Sequence, residues 1–452
     1  MAMSSALLTD HYELTMLQAA LGSGAAHHRA VFEVFARHLP HGRRYGVVAG
    51  TGRVLDALAD FRFGDAELAF LREHNVVNDQ TLDFLASYRF SGDVYGYLEG
   101  ECYFPGSPIM VVDGTFAEAV LLETVILSIL NHDSAVASAA SRMVHAAGSR
   151  PIIEMGSRRT HELAAVAAAR AAYIAGFSST SNLMAGSVYG VPTAGTSAHA
   201  FTLLHSSEYE AFQAQIDSLG PGTTLLVDTY DVGKAVRTAV ELAGPELGAV
   251  RIDSGDLAVA ACEVRQMLDA LGATKTRIVV TSDLDEYAIA ALAAAPVDGY
   301  GVGTSVVTGS GAPTAAMVYK LVAREDSEGK LQPVAKKSVG KPSKGGRKNA
   351  FRALQNGTAT AELITTTPAT PAPAGFASDT LAPGGPASGE PMAGGVASGA
   401  RPLLHELVRG GQIVGREPLA AARERHHASV AELPPLAHQL SQGDPIIPTL
   451  FS

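Results

Sequence analysis

The sequence predicts an α/β fold: an irregular parallel α/β barrel, preceded by a smaller α+β domain and followed by a C-terminal segment that packs back. Short apolar runs that end in polar residues recur at intervals of roughly 22 to 28 residues, about one strand, loop and helix each. Ala-rich, helix-forming stretches fill the intervals. The chain has 452 residues, 47% hydrophobic and 17% charged, enough for two or three domains and at least one large core.

Residues 1–120 read as the α+β domain. Leu7 to Ala20 has a helical pattern with Thr9 and Asp10 as cap candidates. Arg29 to Phe35 alternates like a strand, and Asp93 to Glu99 and Ile109 to Asp113 read as further short strands. Ala117 to Arg150 is one long helical stretch. The barrel is expected over 121–335. Its apolar runs are Pro151–Met155, Leu225–Val227, Ala249–Ile252, Arg277–Val280 and Asp298–Tyr300. Each ends in polar residues, at the face where barrel enzymes place their chemistry. Residues 336–452 form a C-terminal region. It opens with a basic run, Lys336, Lys337, Lys341, Lys344, Arg347, Lys348 and Arg352, and contains a low-complexity stretch at 366–400 that lacks apolar side chains to pack.

Lys plus Arg number 34 against 45 Asp plus Glu, a formal net charge of -11. That balance argues against a broad nucleic-acid surface, which needs a basic patch. The two cysteines, Cys102 and Cys262, form no CxxC pair, so a disulfide framework or cysteine zinc site is not expected. The N-terminus shows no basic start followed by an apolar core, and the longest apolar runs are too short for a bilayer. A soluble cytoplasmic protein without membrane or nucleic-acid partners is the expectation.

Three strand-end segments carry the chemistry. In the first, Thr196-Ser197-Ala198-His199 follows a small, flexible stretch where backbone amides can approach an anion. A lone histidine is most often structural; here a neutral imidazole is placed to attack phosphorus and form a phosphohistidine. In the second, Arg251 and Asp253 alternate and reach the same face. They read either as an ion pair or as an anion-binding cation beside a carboxylate that faces developing positive charge on ribose. In the third, Gly301-Val302-Gly303-Thr304-Ser305 suits a phosphate monoester, with Thr308 as an additional hydroxyl. Asp228 and Asp231 are candidates for holding Mg²⁺, which takes one or two carboxylates plus ligand phosphates; capping of the loop is the alternative. The basic run invites a pyrophosphate-binding reading, and Lys320 reads as a surface lysine or a phosphate ligand.

Five ordered segments together resemble the nicotinate phosphoribosyltransferases, within the barrel-containing class of phosphoribosyltransferases. They are Leu8-Thr9-Asp10-His11-Tyr12-Glu13-Leu14-Thr15-Met16, Glu154-Met155-Gly156-Ser157-Arg158-Arg159, Gly195-Thr196-Ser197-Ala198-His199, Arg251-Ile252-Asp253-Ser254-Gly255-Asp256 and Tyr300-Gly301-Val302-Gly303-Thr304-Ser305. The resemblance covers nearly the whole chain except 366–400. It implies transfer of phosphoribose from phosphoribosyl pyrophosphate to nicotinate, with Mg²⁺, coupled to ATP hydrolysis through a phosphohistidine at His199. It implies that Tyr12 stacks on the pyridine ring from a neighbouring subunit of a homodimer with shared active sites. Arg251 and Thr196 would contact nicotinate, Arg158 and Arg159 the anionic ligands, and Gly301, Gly303 and Thr304 the 5′-phosphate. Nicotinamide-using relatives carry an Asp in the loop near Phe177; Phe177-Ser178-Ser179-Thr180-Ser181-Asn182 has none, which favours the acid. The alternatives are a nicotinamide phosphoribosyltransferase and a catalytically silent sensor of phosphoribosyl pyrophosphate.

Overall fold

Residues 4–336, 344–366 and 400–452 are described by a computed structural model and fall into two units. One comprises Met1–Ala135 and Thr314–Ser452, the other Val136–Pro313.

The first unit is built on a seven-stranded antiparallel sheet. Its order is Leu331–Pro333, Met317–Glu325, Arg29–Ala36, Met110–Thr115, Asp93–Gly96, His405–Arg409 and Gln412–Ile413. The central strand Arg29–Ala36 is buried from Ala30 onward rather than on one face. Ala30, Phe32, Val34 and Ala36 enter the main core, while Val31 packs with Val111, Val322 and Ala323 in a second cluster. A four-stranded sheet, Arg401–Pro402, Asn349–Gln355, Thr358–Thr365 and Thr449–Phe451, completes the unit.

Local expectations are refined in two places. Asp10 is the N-cap of the helix His11–Ser23 but makes no side-chain cap bond; the Thr9 hydroxyl bonds Glu13 instead. The long helical stretch is two helices, Phe116–Val120 and Glu123–Ala147, the first closed by a capping box between Thr115 and Glu118. The expected barrel boundaries at 121 and 335 also differ from the observed unit. Met317–Glu325 runs along the full strand from Ala30↔Arg324 to Ala36↔Met317, so residues from 314 onward belong with the N-terminal segment. The C-terminal segment joins the same sheet through His405–Arg409. Lys337, Lys341 and all but the end residues of the low-complexity stretch lie outside the described residues.

The second unit holds a six-stranded, wholly parallel sheet. Its order is Ser179–Thr180, Ile152–Glu154, Gly299–Val302, Arg277–Ser282, Ala249–Ile252 and Thr224–Leu226. It curls as an incomplete barrel, with the first and last strands as its edges. Parallel strands joined by helical crossovers are covered on both faces, which is why they read as unbroken apolar runs. Val250, Ile252, Ile278, Val280, Tyr300 and Val302 are fully buried. The helices that follow start on acidic caps: Asp231 accepts from Lys234 N–H at 2.8 Å and Asp256 from Val259 N–H at 3.2 Å. No helix among the described residues is long and apolar enough to cross a membrane.

Candidate active site

The carboxyl ends of the parallel strands surround a cavity of about 230 Å³. After Ile152–Glu154 come Met155, Arg158 and Arg159; after Ala249–Ile252 comes Asp253, with Arg251 on the strand itself. Thr281, Ser282 and Asp283 contribute from the next strand, and Gly301, Gly303 and Thr304 from the last. The sheet thus gathers into one wall residues spread along the chain from Met155 to Thr304, because parallel strands present all their carboxyl ends on one edge.

Arg251 donates from Nη1 to Thr196 Oγ1 at 2.8 Å. Its Nε is buried and has no hydrogen-bond partner. Burial pulls the guanidinium pKa below its ordinary value, against the opposing pull of Asp253 and Asp228. No ion pair joins Arg251 to Asp253, so the ion-pair alternative is not what the fold builds. A half-buried cation with an idle donor is matched to an anionic ligand. Arg158 and Arg159 are exposed at the cavity and form no ion pair among the described residues.

His199 opens the helix His199–Leu204. Its Nδ1 lies 3.1 Å from Thr229 Oγ1. Its Nε2 faces two carboxylates, Asp228 Oδ1 at 3.9 Å and Asp253 Oδ2 at 3.8 Å. Those distances exceed a hydrogen bond and leave room for rearrangement around a ligand. Asp228 Oδ2 accepts from the Asp253 N–H at 2.8 Å and the Ser254 hydroxyl at 2.7 Å. Its Oδ1 is buried without a hydrogen-bond partner. Asp228 therefore braces a loop with one oxygen and leaves the other without a hydrogen bond, whereas Asp231 is a helix cap. Among the described residues no cluster of three or more His, Cys, Asp or Glu side chains forms a metal cage. A pair of carboxylates with idle oxygens does fit Mg²⁺, which draws its remaining ligands from phosphates and water.

At the last strand, a Cβ on Gly301 would come within 2.5 Å of Thr281 Cγ2 and 2.7 Å of Met155 Sδ. Only glycine fits there. Behind the turn, Glu154 is fully buried; it accepts the Thr180 hydroxyl at 2.5 Å and the Gly156 N–H. Burial raises the Glu154 pKa, and both hydrogen bonds pull it down. Glu154 ties the arginine-bearing turn to the Thr180 segment. There Asn182 caps the helix Leu183–Tyr189 and donates to Ser157 Oγ at 3.0 Å.

Other expected site residues lie elsewhere. The Thr308 hydroxyl donates to the Thr304 carbonyl at 2.8 Å and does not line the cavity. Tyr12 belongs to the first unit, partly exposed on the first turn of its helix, its phenol held protonated by burial and by neighbouring Glu123. Lys320 stands 3.6 Å from Glu123. The basic run is largely engaged within its own unit. Lys348 pairs with buried Glu33 at 2.8 Å, Arg347 with Asp113 at 3.4 Å, and Arg352 with Glu362 at 2.6 Å, while Lys344 Nζ sits 3.5 Å over the Phe451 ring. Those four cations serve the first unit's own structure. Sequence reading assigns no role to Thr281, Asp283 or Glu154. Position at a strand end was the available signal for the first two; a buried carboxylate inside an apolar run was the signal for the third.

Comparison with known proteins agrees with the geometry. Residues 7–131 match the nicotinate phosphoribosyltransferase (NAPRTase) N-terminal domain, and residues 151–366 the nicotinate phosphoribosyltransferase (NAPRTase) family. The chain is 56% identical over 452 residues to nicotinate phosphoribosyltransferase pncB1 of Mycobacterium tuberculosis, covering 98% of this chain and 94% of that one. It is 37% identical over 363 residues to the nicotinate phosphoribosyltransferase of Bacillus subtilis, covering 78% and 74%. The crystal structure of human nicotinic acid phosphoribosyltransferase is similar with a TM-score of 0.83 at 28% identity, over 98% of this chain and 97% of that one.

Proposed function

The chain belongs to the nicotinate phosphoribosyltransferase family, and on that premise we propose that it joins nicotinate to phosphoribosyl pyrophosphate, yielding nicotinate mononucleotide and pyrophosphate, a step of NAD synthesis. The observation that carries this reading is one cavity lined by Arg251, Arg158 and Arg159 together with Asp253 and the Gly301–Thr304 turn. The Arg251 guanidinium, steadied by Thr196, receives the nicotinate carboxylate. The glycine turn takes the 5′-phosphate, and Arg158 and Arg159 face the pyrophosphate. As the pyridine nitrogen bonds to the anomeric carbon, the bond from that carbon to pyrophosphate breaks. The positive charge developing on ribose is offset by Asp253. Asp228 and Asp253 would hold Mg²⁺, which supplies charge neutralisation to the pyrophosphate.

The coupled step is the attack of His199 on the γ-phosphorus of ATP, releasing ADP; hydrolysis of the phosphohistidine then returns the imidazole and phosphate. The Thr229 hydroxyl orients the ring, and the carboxylates facing Nε2 balance its positive charge. Stacking of Tyr12 on the substrate ring in a cytoplasmic homodimer belongs to the same proposal. The exposed apolar side chains Leu183, Met184, Leu203 and Leu204 support a second copy. Neither Ser181 nor Asn182 brings a carboxylate to the Thr180 segment, which favours the acid over the amide.

The test is product formation from phosphoribosyl pyrophosphate, Mg²⁺ and either nicotinate or nicotinamide, with and without ATP. Nicotinate mononucleotide is expected, formed faster with ATP. His199→Ala should abolish ATP stimulation and leave slow transfer; stimulation unchanged in that variant would falsify the phosphohistidine role. Product from nicotinamide alone reverses the substrate assignment, and binding without turnover of either base supports the sensor.

A further inference from the structure

Thr281 sits near the carboxyl end of the strand Arg277–Ser282, buried, on the cavity wall. Its two branches do different things. The methyl group closes the space over Gly301, where an added Cβ would lie 2.5 Å from it. The hydroxyl donates to Asp253 Oδ1. The main-chain N–H of Asp253 is held by Asp228 Oδ2 at 2.8 Å. With the backbone and one oxygen fixed, the other oxygen is left 3.8 Å from His199 Nε2.

The restraint matters because of what stands nearby. Arg251 lines the same cavity, and its Nε is buried without a hydrogen-bond partner. Its charge and that of Asp253 attract each other, yet no ion pair forms: Thr196 holds the guanidinium and Thr281 holds the carboxylate. An Arg and an Asp free to meet on one wall would form a charge-assisted pair, and the cation would no longer be available to a ligand carboxylate. We infer that Thr281 is a positioning residue whose hydroxyl clamps Asp253 on the His199 side of the cavity and off the Arg251 guanidinium. The carboxylate and the guanidinium then share one cavity without neutralising each other. This inference rests on the phosphoribosyl-transfer reading given above.

Two substitutions divide the side chain. Thr281→Val keeps the shape and removes the hydroxyl; Thr281→Ser keeps the hydroxyl and removes the methyl. Thr281→Val should lower kcat about 10- to 100-fold, as misplacement of a reacting group does, and raise the KM for nicotinate. Thr281→Ser should stay far nearer the wild type. In an Asp253→Asn background, with no carboxylate to clamp, Thr281→Val should bring no comparable further loss. A serine variant as damaged as the valine variant, or a valine cost equal in both backgrounds, assigns Thr281 to packing and overturns the clamp. A crystal structure of Thr281→Val gives a readout without turnover. The Asp253 carboxylate is expected on Arg251, and an unmoved carboxylate overturns the inference. If the wild type turned over neither base, the transfer reading would fall, while that structure would still decide the clamp.

Discussion

The first unit's buried cations and the second unit's cavity arginines are partnered in opposite ways. In the first, Arg352 is fully buried, bonds Glu362 at 2.6 Å and stands 3.5 Å from Glu101. Arg401 bridges Glu101 at 2.8 Å and Glu432 at 2.6 Å, and Lys348 meets Glu33 at 2.8 Å. In the second, Arg142 pairs with Glu286 at 3.0 Å away from the cavity, but on the cavity wall Arg251 leans on a hydroxyl, Asp253 is held by another hydroxyl, and Arg158 and Arg159 form no ion pair among the described residues. A cation whose partner is built into the fold is part of the scaffold. A cation supported only by neutral groups keeps its charge for something that arrives.

The sharpest way to break this contrast is to remove one cation of each kind. Arg352→Ala strands buried carboxylates and should cost about 3–5 kcal/mol of stability. Thermal or denaturant unfolding followed by circular dichroism reads it, and a change below about 1 kcal/mol would show that the network is not scaffold. Arg251→Ala should do the reverse. Loss of a charge-assisted contact of about 1.5–3 kcal/mol raises the nicotinate KM roughly 10- to 100-fold. The melting temperature should stay level or rise, because an unpaired, half-buried charge has gone. An unchanged KM would remove Arg251 from the carboxylate site.

The smallest effect tests burial without a counter-ion. Burial pushes the Glu13 carboxyl up to about 7, against hydrogen bonds from Thr124 and Thr9 that pull it down. The folded state then holds a proton that the unfolded state has released, so this contribution to stability is full below about pH 4 and is lost as pH rises through about 7. Glu13→Gln should flatten that part of the stability–pH curve in melts taken between pH 5 and 8. A slope identical to the wild type would show that Glu13 ionises normally.

Much of this was legible in the chain. The run Ala249–Ile252 is the observed strand residue for residue, and Pro151–Met155, Leu225–Val227 and Arg277–Val280 each overlap one. Because polar residues at the ends of such runs mark strand ends, Arg251, Asp253, Gly301, Gly303 and Thr304 are identifiable from the chain alone, and they share one cavity. The basic run misled for a reason the chain does not display. Lys348 finds Glu33, 315 positions away, and Arg352 takes its carboxylate from the adjoining strand Thr358–Thr365. Thr308 misled at shorter range, since a hydroxyl one helical turn on bonds its own backbone.

Spacing along the chain marked the main strand segments of the second unit, their parallel run and the residue types that stand at their ends. These follow from periodicities of a few residues, imposed by backbone geometry and by the need to bury apolar surface. Packing in three dimensions settled which charges are paired and which are kept open, that Met317–Glu325 completes the first unit's sheet, and that Thr281 holds Asp253 away from Arg251. Those outcomes depend on which distant group comes within about 3 Å, a distance set by packing and not by any spacing along the chain.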